Sequence, residues 1–185
     1  GGIHYIDMDD DLTDDSFVLF GKMIYSRETT WDAGLELDYS IYEDSSTDLR
    51  VFQAAPSMGF YLTQDPSQGV LYTESKLYYI HKDKDLASSR HNFFSFEQAL
   101  SYCQSPFDAK VSAWVGEQIF AVKNDGFVVY NLQDRFNGGI KFDAGYTIEN
   151  RLRIGLIVGY DWLKHTETND RAAQKVVSIS IGAIF

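Results

Sequence analysis

The sequence predicts an all-β protein, a single domain over residues 1–185 in which one antiparallel sheet of about ten strands closes into a barrel. Apolar and polar residues alternate with period two along much of the chain, as they do in strands that have one apolar face. Aromatic residues, which favour strands, make up 15% of the 185 residues, and only 3 residues are proline. No run of about 18 apolar residues is present, so no transmembrane helix is predicted.

The first three predicted strands lie before residue 42. They are a short strand, a strand that is apolar on both faces, and a strand with clear alternation: 3–7, 17–25 and 31–41. On the third strand, apolar residues such as Leu35 and Leu37 share one face, and acidic residues such as Glu36 share the other. This strand therefore has one face for an apolar environment and one for a polar environment.

Four further strands are predicted in the middle of the chain: 52–62, 69–81, 110–122 and 127–132. Pro56 lies inside the first of them and has no N–H for a ladder hydrogen bond, which indicates a bulge there. The alternation in 110–122 is ambiguous. Asn124-Asp125-Gly126, a strong hairpin signal, precedes the last of these strands.

Residues 82–107 are predicted as the longest surface loop, with one short helix. Ser95-Phe96-Glu97-Gln98 has the form of a capping box. The apolar residues of this segment would narrow the barrel mouth or contact a protein partner: Phe93, Phe94, Phe96, Leu100 and Tyr102. The alternative is a compact loop that packs its own aromatic residues over the rim.

The last three predicted strands show the strongest alternation: 139–149, 151–165 and 175–185. In the final strand Val177, Ile179, Ile181 and the terminal Phe185 share one face, while the other face is mostly small and polar. Short and long connections alternate along the chain, which gives ten strands with both termini at one end. The count falls to eight if 3–7 is unpaired and 127–132 belongs to a loop.

The C-terminal strand resembles the signal strand of bacterial outer-membrane β-barrel proteins, in which a final Phe follows alternating apolar residues. The resemblance implies a closed transmembrane barrel, integral to the outer membrane of a Gram-negative cell envelope, with lipid on its apolar face. It also implies contact with outer-membrane lipid and lipopolysaccharide, and with the barrel assembly machinery during insertion.

Alternation alone also fits a water-soluble barrel of lipocalin type, whose apolar faces would line a ligand cavity. Three observations favour the membrane. The chain ends in Phe185, and its longest alternating segments exceed the strands of about 5–6 residues that are typical of soluble sheets. Glycines also cluster on the charged face, where they leave room for long charged neighbours in a narrow lumen.

This orientation defines two sets of residues. The residues predicted to line the lumen are Lys22, Asp32, Glu36, Asp38, Glu74, Lys76, Lys141, Asp143, Arg153 and Asp161. The residues predicted to face lipid are Trp31, Leu35, Leu37, Phe142, Tyr146, Leu156, Val158, Trp162, Ile179, Ile181 and Phe185. The lumen set either lines a narrow polar pore, or binds a small cationic ligand, or fills the barrel with salt bridges.

No residue pattern indicates catalysis, a cofactor or a metal site. His165-Thr166-Glu167 resembles the His-x-Ser region of outer-membrane lipid A deacylases, but Glu167 replaces the serine and the nucleophile is missing. The acidic run at 7–15 lacks the glycine of a calcium loop and is expected to be a solvated loop. The net charge of -11 argues against binding to nucleic acid.

The expected function is therefore a non-enzymatic, porin-like channel, narrow enough to pass only ions or small solutes. One alternative is a filled barrel with a structural, adhesive or accessory role, which binds a protein partner through loop 82–107. A second alternative is the soluble, lipocalin-like barrel that binds an apolar ligand.

Overall fold

A computed structural model shows the chain as one large antiparallel sheet. It describes residues 1–6, 16–27, 30–42, 48–85, 89–123, 128–129, 135–149, 151–165, 168 and 170–183. Its strands are β1 (Gly2–Ile6), β2 (Ser16–Arg27), β3 (Trp31–Tyr42), β4 (Leu49–Asp65), β5 (Gly69–Lys82), β6 (Asn92–Gln104), β7 (Phe107–Gln118), β8 (Val122–Lys123), β9 (Val128–Val129), β10 (Arg135–Ile148), β11 (Leu152–Lys164) and β12 (Arg171–Ala183).

Ten of these strands form the sheet, in chain order and with every neighbouring pair antiparallel, while β8 and β9 form a separate two-stranded ladder. The predicted all-β antiparallel sheet of ten strands is confirmed. Hydrogen bonds do not close this sheet: β1 and β12 are its two edges, and no ladder joins them in the described residues. Because β1 has only 5 residues and pairs with the first part of β2, residues 21–27 of β2 also form a free edge.

The predicted helix in residues 82–107 is wrong, and most of that segment is strand β6. Residues along β6 alternate between the two faces: Phe93 and Ser95 are buried, whereas Phe94 and Phe96 are exposed. The strand forms ladders with β5 on one side and β7 on the other. Two ladders pair far more backbone groups than the capping box could, and they determine the local structure. In the described part of the chain, no helix is long and apolar enough to cross a membrane.

The predicted wall strand at 127–132 is not part of the large sheet. Within it, only Val128 and Val129 are described, and they pair with β8. The predicted turn at 124–126 lies outside the described residues. The strand count of ten is still right, because β6 takes the place that the sequence assigned to 127–132.

The buried apolar core lies at one end of the sheet, where β3 ends and β4 begins. We call this the plugged end, and the opposite end, with the β2–β3 and β4–β5 connections, the turn end. The core cluster consists of Tyr42, Leu49, Val51, Ile80, Phe93, Ile119, Phe120 and Ala121. Inner-face residues are buried near this cluster and become exposed toward the turn end, as Ser16 and Lys22 of β2 illustrate. The interior is therefore closed at one end.

Candidate functional site: the inner face of the sheet

The charged residues predicted for the lumen lie on one face of the sheet. Residues directly opposite on neighbouring strands share a face, and the register aligns Lys22 with Glu36, and Lys141 with Gly159. All ten residues of the predicted lumen set belong to this inner face, together with buried residues such as Gln53. Their role as a pore lining stays a prediction.

Two carboxylates of β3 are almost fully buried on this face. Glu36 and Asp38 are each 2% exposed. Glu36 Oε2 lies 2.6 Å from Lys76 Nζ, and that ammonium is 5.1 Å from the centre of the Tyr78 ring. An ionised group that leaves water needs such a partner, because desolvation alone costs several kcal/mol. The pair links β3 to β5 over the inner face of β4, the strand between them.

Asp38 connects the wall to a segment that enters the interior. Gln53 Nε2 donates to Asp38 Oδ2 at 2.7 Å and to the carbonyl oxygen of Val122 at 2.7 Å. In return, the Val122 N–H donates to Gln53 Oε1 at 3.0 Å. One side-chain amide thus satisfies both backbone groups of a buried residue.

Residues 119–123, which we call the plug segment, follow β7 and fill the plugged end of the interior. Ile119, Phe120, Ala121 and Val122 are at most 1% exposed, and the Phe120 ring lies 5.4 Å from the ring of Tyr42. Burial of a large apolar side chain contributes about 1.5–3 kcal/mol. The three large apolar residues of the segment thus contribute about 5–9 kcal/mol, which makes this plug a stable part of the fold.

Lys123 is the last residue of the plug segment and lies where the apolar core meets the polar part of the interior. Its ammonium lies 4.7 Å from the centre of the Trp114 ring, 5.4 Å from that of Tyr78 and 3.6 Å from Glu97 Oε2. Burial lowers the pKa of Lys123 below its usual value, and the nearby Glu97 carboxylate opposes that shift. The two rings and the carboxylate together compensate part of the lost hydration.

A cavity of about 280 Å³, which we call the inner cavity, lies next to Lys123 on the side that faces the turn end. The inner faces of β7, β10, β11 and β12 form most of its wall. Its charged and hydrogen-bonding residues are Glu97, Lys110, Ser112, Trp114, Lys123, Lys141, Asp143, Asp161 and Gln174. Trp114 Nε1 donates to Asp161 Oδ1 at 3.1 Å, and Lys141 Nζ lies 3.1 Å from Asp143 Oδ2.

Glycines on the inner face make room for these side chains. A Cβ atom at Gly139 would overlap the Asp161 carboxylate and crowd the indole nitrogen of Trp114. A Cβ atom at Gly145 would overlap the Arg153 guanidinium, which binds Asp108 Oδ2 at 2.7 Å. The glycines beside charged residues, noted in the sequence, therefore have a steric reason.

Several inner-face residues were missing from the predicted lumen set. Glu97 is absent from that set because the capping box predicts a loop helix at this position, although the residues of β6 alternate with period two. Lys110, Trp114 and Gln118 lie on β7, where the alternation is broken near Gly116, a residue with φ of 116°. No sequence pattern indicated that Lys123 would enter the interior, since that depends on contacts between residues far apart in the chain.

The residues predicted to face lipid lie on the opposite, outer face. Leu35 is 38% exposed, Phe142 43% and Ile179 72%, and Trp31 is half-buried against Tyr25. The higher exposure on β12 arises because that strand has a neighbour on one side only. Phe185 lies outside the described residues. Contact with lipid stays a prediction for the whole set.

The five residues predicted to narrow the barrel mouth from a loop, or to contact a partner, belong instead to β6. Phe93 is buried in the core cluster of the plugged end. The other four join the outer face of the sheet: Phe94, Phe96, Leu100 and Tyr102. A constriction built by a loop helix is therefore wrong, and the plug segment occupies the interior in its place.

Two other sequence features bear little on this site. The acidic run at 7–15 lies outside the described residues, as do Thr166 and Glu167. His165 is described and its backbone N–H donates to the carbonyl oxygen of Asp170. Among the described residues, no group of three or more His, Cys, Asp or Glu side chains could bind a metal ion.

Comparisons with known proteins complete the description of the site. No protein family, no curated protein and no solved structure matches the chain. The function of this chain must therefore be inferred from the geometry and charge of its own residues.

Proposed function

We propose that this chain is an integral β-barrel protein of a bacterial outer membrane, with its interior plugged at one end. Its role would be non-enzymatic, as a structural, adhesive or accessory barrel that binds a partner through connections at the plugged end. One observation carries the proposal: Leu35 and Phe142 face outward, while Glu36 and Asp38 face inward at 2% exposure. A soluble, lipocalin-like barrel needs the opposite orientation.

The outer face supports a lipid environment. Soluble monomers rarely expose continuous apolar patches larger than a few hundred Å², whereas here most outer-face residues of the long strands are apolar and many of them are exposed. Nine of the ten sheet strands contain between 12 and 17 residues. A tilted strand needs about 9–11 residues to cross the hydrocarbon core.

We also propose that the edges of β12 and β1 meet in the bilayer and close the barrel. Unpaired N–H and C=O groups cost several kcal/mol each in hydrocarbon, so a free strand edge is unfavourable there. The direction of the strands supports this pairing, because β1 runs toward the plugged end and β12 runs away from it.

The plugged end of the interior favours a filled barrel over an open channel. A solute could pass the plugged end only after the plug segment had moved, and this would expose the apolar surface worth about 5–9 kcal/mol. Since each 1.4 kcal/mol is a factor of ten, the displaced state would be roughly 10³ to 10⁶ times less populated. A narrow channel is the second candidate, supported by the charged inner cavity below the plug.

Fractionation of cells that produce the untagged, full-length precursor tests the membrane proposal. We expect the protein in the outer-membrane fraction, with a gel mobility in detergent that changes on heating. Recovery in the soluble fraction would contradict the membrane assignment. In planar bilayers, the filled barrel predicts a silent membrane, and a steady conductance would favour the channel.

A further inference from the structure

The inner cavity has the features of a binding site. We propose that it binds a small zwitterion that carries one ammonium and one carboxylate group and has about the size of a dipeptide. This goes beyond the proposed function, since a barrel that is closed to passage need not bind any solute.

The charge of the cavity is balanced. Three ammonium groups line it, from Lys110, Lys123 and Lys141, and so do three carboxylates, from Glu97, Asp143 and Asp161. A ligand of one sign would be attracted by half of these groups and repelled by the other half. A ligand that carries both signs matches the site.

Two groups of opposite sign remain for the ligand after the internal ion pairs are assigned. Lys141 pairs with Asp143, and Lys123 pairs with Glu97. Among the described residues, Lys110 has no carboxylate within 4.0 Å. Asp161 has no ammonium within that distance; its carboxylate accepts from the uncharged indole of Trp114, and its charge acts on the more distant Lys123. We therefore assign the solute's carboxylate to Lys110 and its ammonium to Asp161.

The register determines how far apart these two groups lie. Asp161 is level with Gly139 and Trp114, whereas Lys110 is level with Asp143, four residues further along the ladder. Four residues of an antiparallel strand span about 14 Å, and the two strand spacings from β7 across β10 to β11 add about 10 Å at right angles to that. The Lys110 and Asp161 side chains cover part of that distance, and the remaining gap suits charges separated by several ångströms, as in a dipeptide.

Gly159 leaves the cavity room for a solute. It lies on the inner face between the levels of Asp161 and Ile157, where a Cβ atom would approach only the Val176 Cβ, at 3.7 Å. This differs from Gly139, whose missing side chain is replaced by neighbouring groups. The volume of about 280 Å³ is just below the range of about 300–1,000 Å³ for drug-sized pockets.

The shape of the interior indicates the route of entry. The plug segment closes one end, while inner-face residues near the turn end, such as Arg153 and Gly182, are exposed. A solute would enter from the turn end, bind in the cavity and leave by the same route. Binding without passage is consistent with a filled barrel.

Titration of the purified, full-length protein in detergent with glycylglycine tests the proposal by calorimetry. We expect saturable binding, and at least tenfold weaker binding of N-acetylglycylglycine, which lacks the ammonium, and of glycylglycinamide, which lacks the carboxylate. Absence of binding by glycylglycine would overturn the proposal. Equal binding of either singly charged analogue would overturn it as well.

Charge variants test the assigned residues. Lys110→Gln and Asp161→Asn should each weaken glycylglycine binding at least tenfold. The amide in Asp161→Asn can still accept from Trp114, so the fold should persist. Lys175→Gln is the matched control, because Lys175 lies on the outer face, 6.0 Å from the centre of the Tyr160 ring. The affinity of this variant for glycylglycine should be unchanged. Equal losses in all three variants would overturn the assignment.

A cavity-filling pair of variants tests the location without a change of charge. Gly159→Val should fill the cavity and abolish binding. Gly182→Val should not, because a Cβ atom there meets nothing within 4 Å and Gly182 is not part of the cavity lining. Wild-type affinity in folded Gly159→Val protein would exclude this cavity as the site. These titrations need no membrane, so they fail independently of the cell fractionation.

Discussion

Gln53 and Val122 exchange two hydrogen bonds in the buried interior, although 69 positions separate them in the chain. The side-chain amide of Gln53 donates to the Val122 carbonyl and accepts from its N–H, as a neighbouring strand would. The same amide also donates to Asp38. This contact attaches the plug segment to β3 and β4, two strands of the large sheet with which β8 forms no backbone ladder.

Replacement of Gln53 by leucine should therefore destabilise the protein strongly. Gln53→Leu leaves the Val122 N–H and C=O and one Asp38 oxygen without their partner, and a buried unsatisfied group costs about 1–3 kcal/mol. We expect the free energy of unfolding in detergent, measured with urea, to fall by about 3 kcal/mol or more. Gln98→Leu, on the exposed outer face, is the control and should change it by less than about 1 kcal/mol. Similar losses in the two variants would contradict a special role of Gln53.

Phe120 combines a buried side chain with an unfavourable backbone conformation. Its φ is 53°, in the left-handed region that glycine adopts most easily. Phe120→Ala should lower the free energy of unfolding by about 3–5 kcal/mol through the loss of packing against Tyr42. Phe120→Gly loses the same side chain but relieves the backbone, so it should be more stable than Phe120→Ala by about 1 kcal/mol. The reverse order would contradict this account.

The lowered pKa of Lys123 leads us to expect that the stability of the protein depends on pH. Its pKa is lowered in the folded protein relative to the usual 10.5, so the unfolded chain binds more protons over the interval between the two values. The contribution of Lys123 to the free energy of unfolding should therefore rise as the pH increases through that interval toward 10.5. Lys123→Met should lack this rise when both proteins are unfolded with urea at a series of pH values up to 10.5. Parallel pH profiles of the two proteins would contradict the prediction.

The sequence was sufficient where alternation is regular and insufficient where contacts are distant. Alternation in β3, β10, β11 and β12 identified both the strands and the division into a charged and an apolar face. In β6 a local capping box competed with the same alternation, and pairing with β5 and β7 decided the structure. Period-two alternation therefore identifies a strand reliably only where no competing local motif, such as a capping box, is present.

The plug segment shows what a single sequence cannot reveal. Residues 119–122 are apolar without period-two alternation, which is equally consistent with a strand, a loop or a buried turn. Their position depends on Gln53, and nothing near Gln53 in the sequence marks it as different from other polar residues of the inner face. Lys110 and Asp161 meet at one cavity for a similar reason, since the register of β7, β10 and β11 brings them there.

Closure of the barrel in a bilayer can be tested by cross-linking across the two free edges. Tyr5 lies on the outer face of β1, and outer-face residues near the start of β12 alternate from Ala173. In a Cys103→Ser background, Tyr5→Cys would be combined in turn with cysteine at one of three positions: Ala173, Lys175 or Val177. Neighbouring antiparallel strands bring opposite Cα atoms to about 4.5–5.5 Å, which allows a disulfide.

We expect one of the three pairs to form a disulfide efficiently in lipid vesicles under mild oxidation, as read by gel mobility without reductant. The matched control combines Tyr5→Cys with Val158→Cys, which lies on the outer face of β11 and is separated from the edge by β12. That pair should remain reduced, since β12 would lie between the two cysteines. If the protein is folded in vesicles and none of the three edge pairs reacts, β1 and β12 do not meet, and the barrel remains open along this edge.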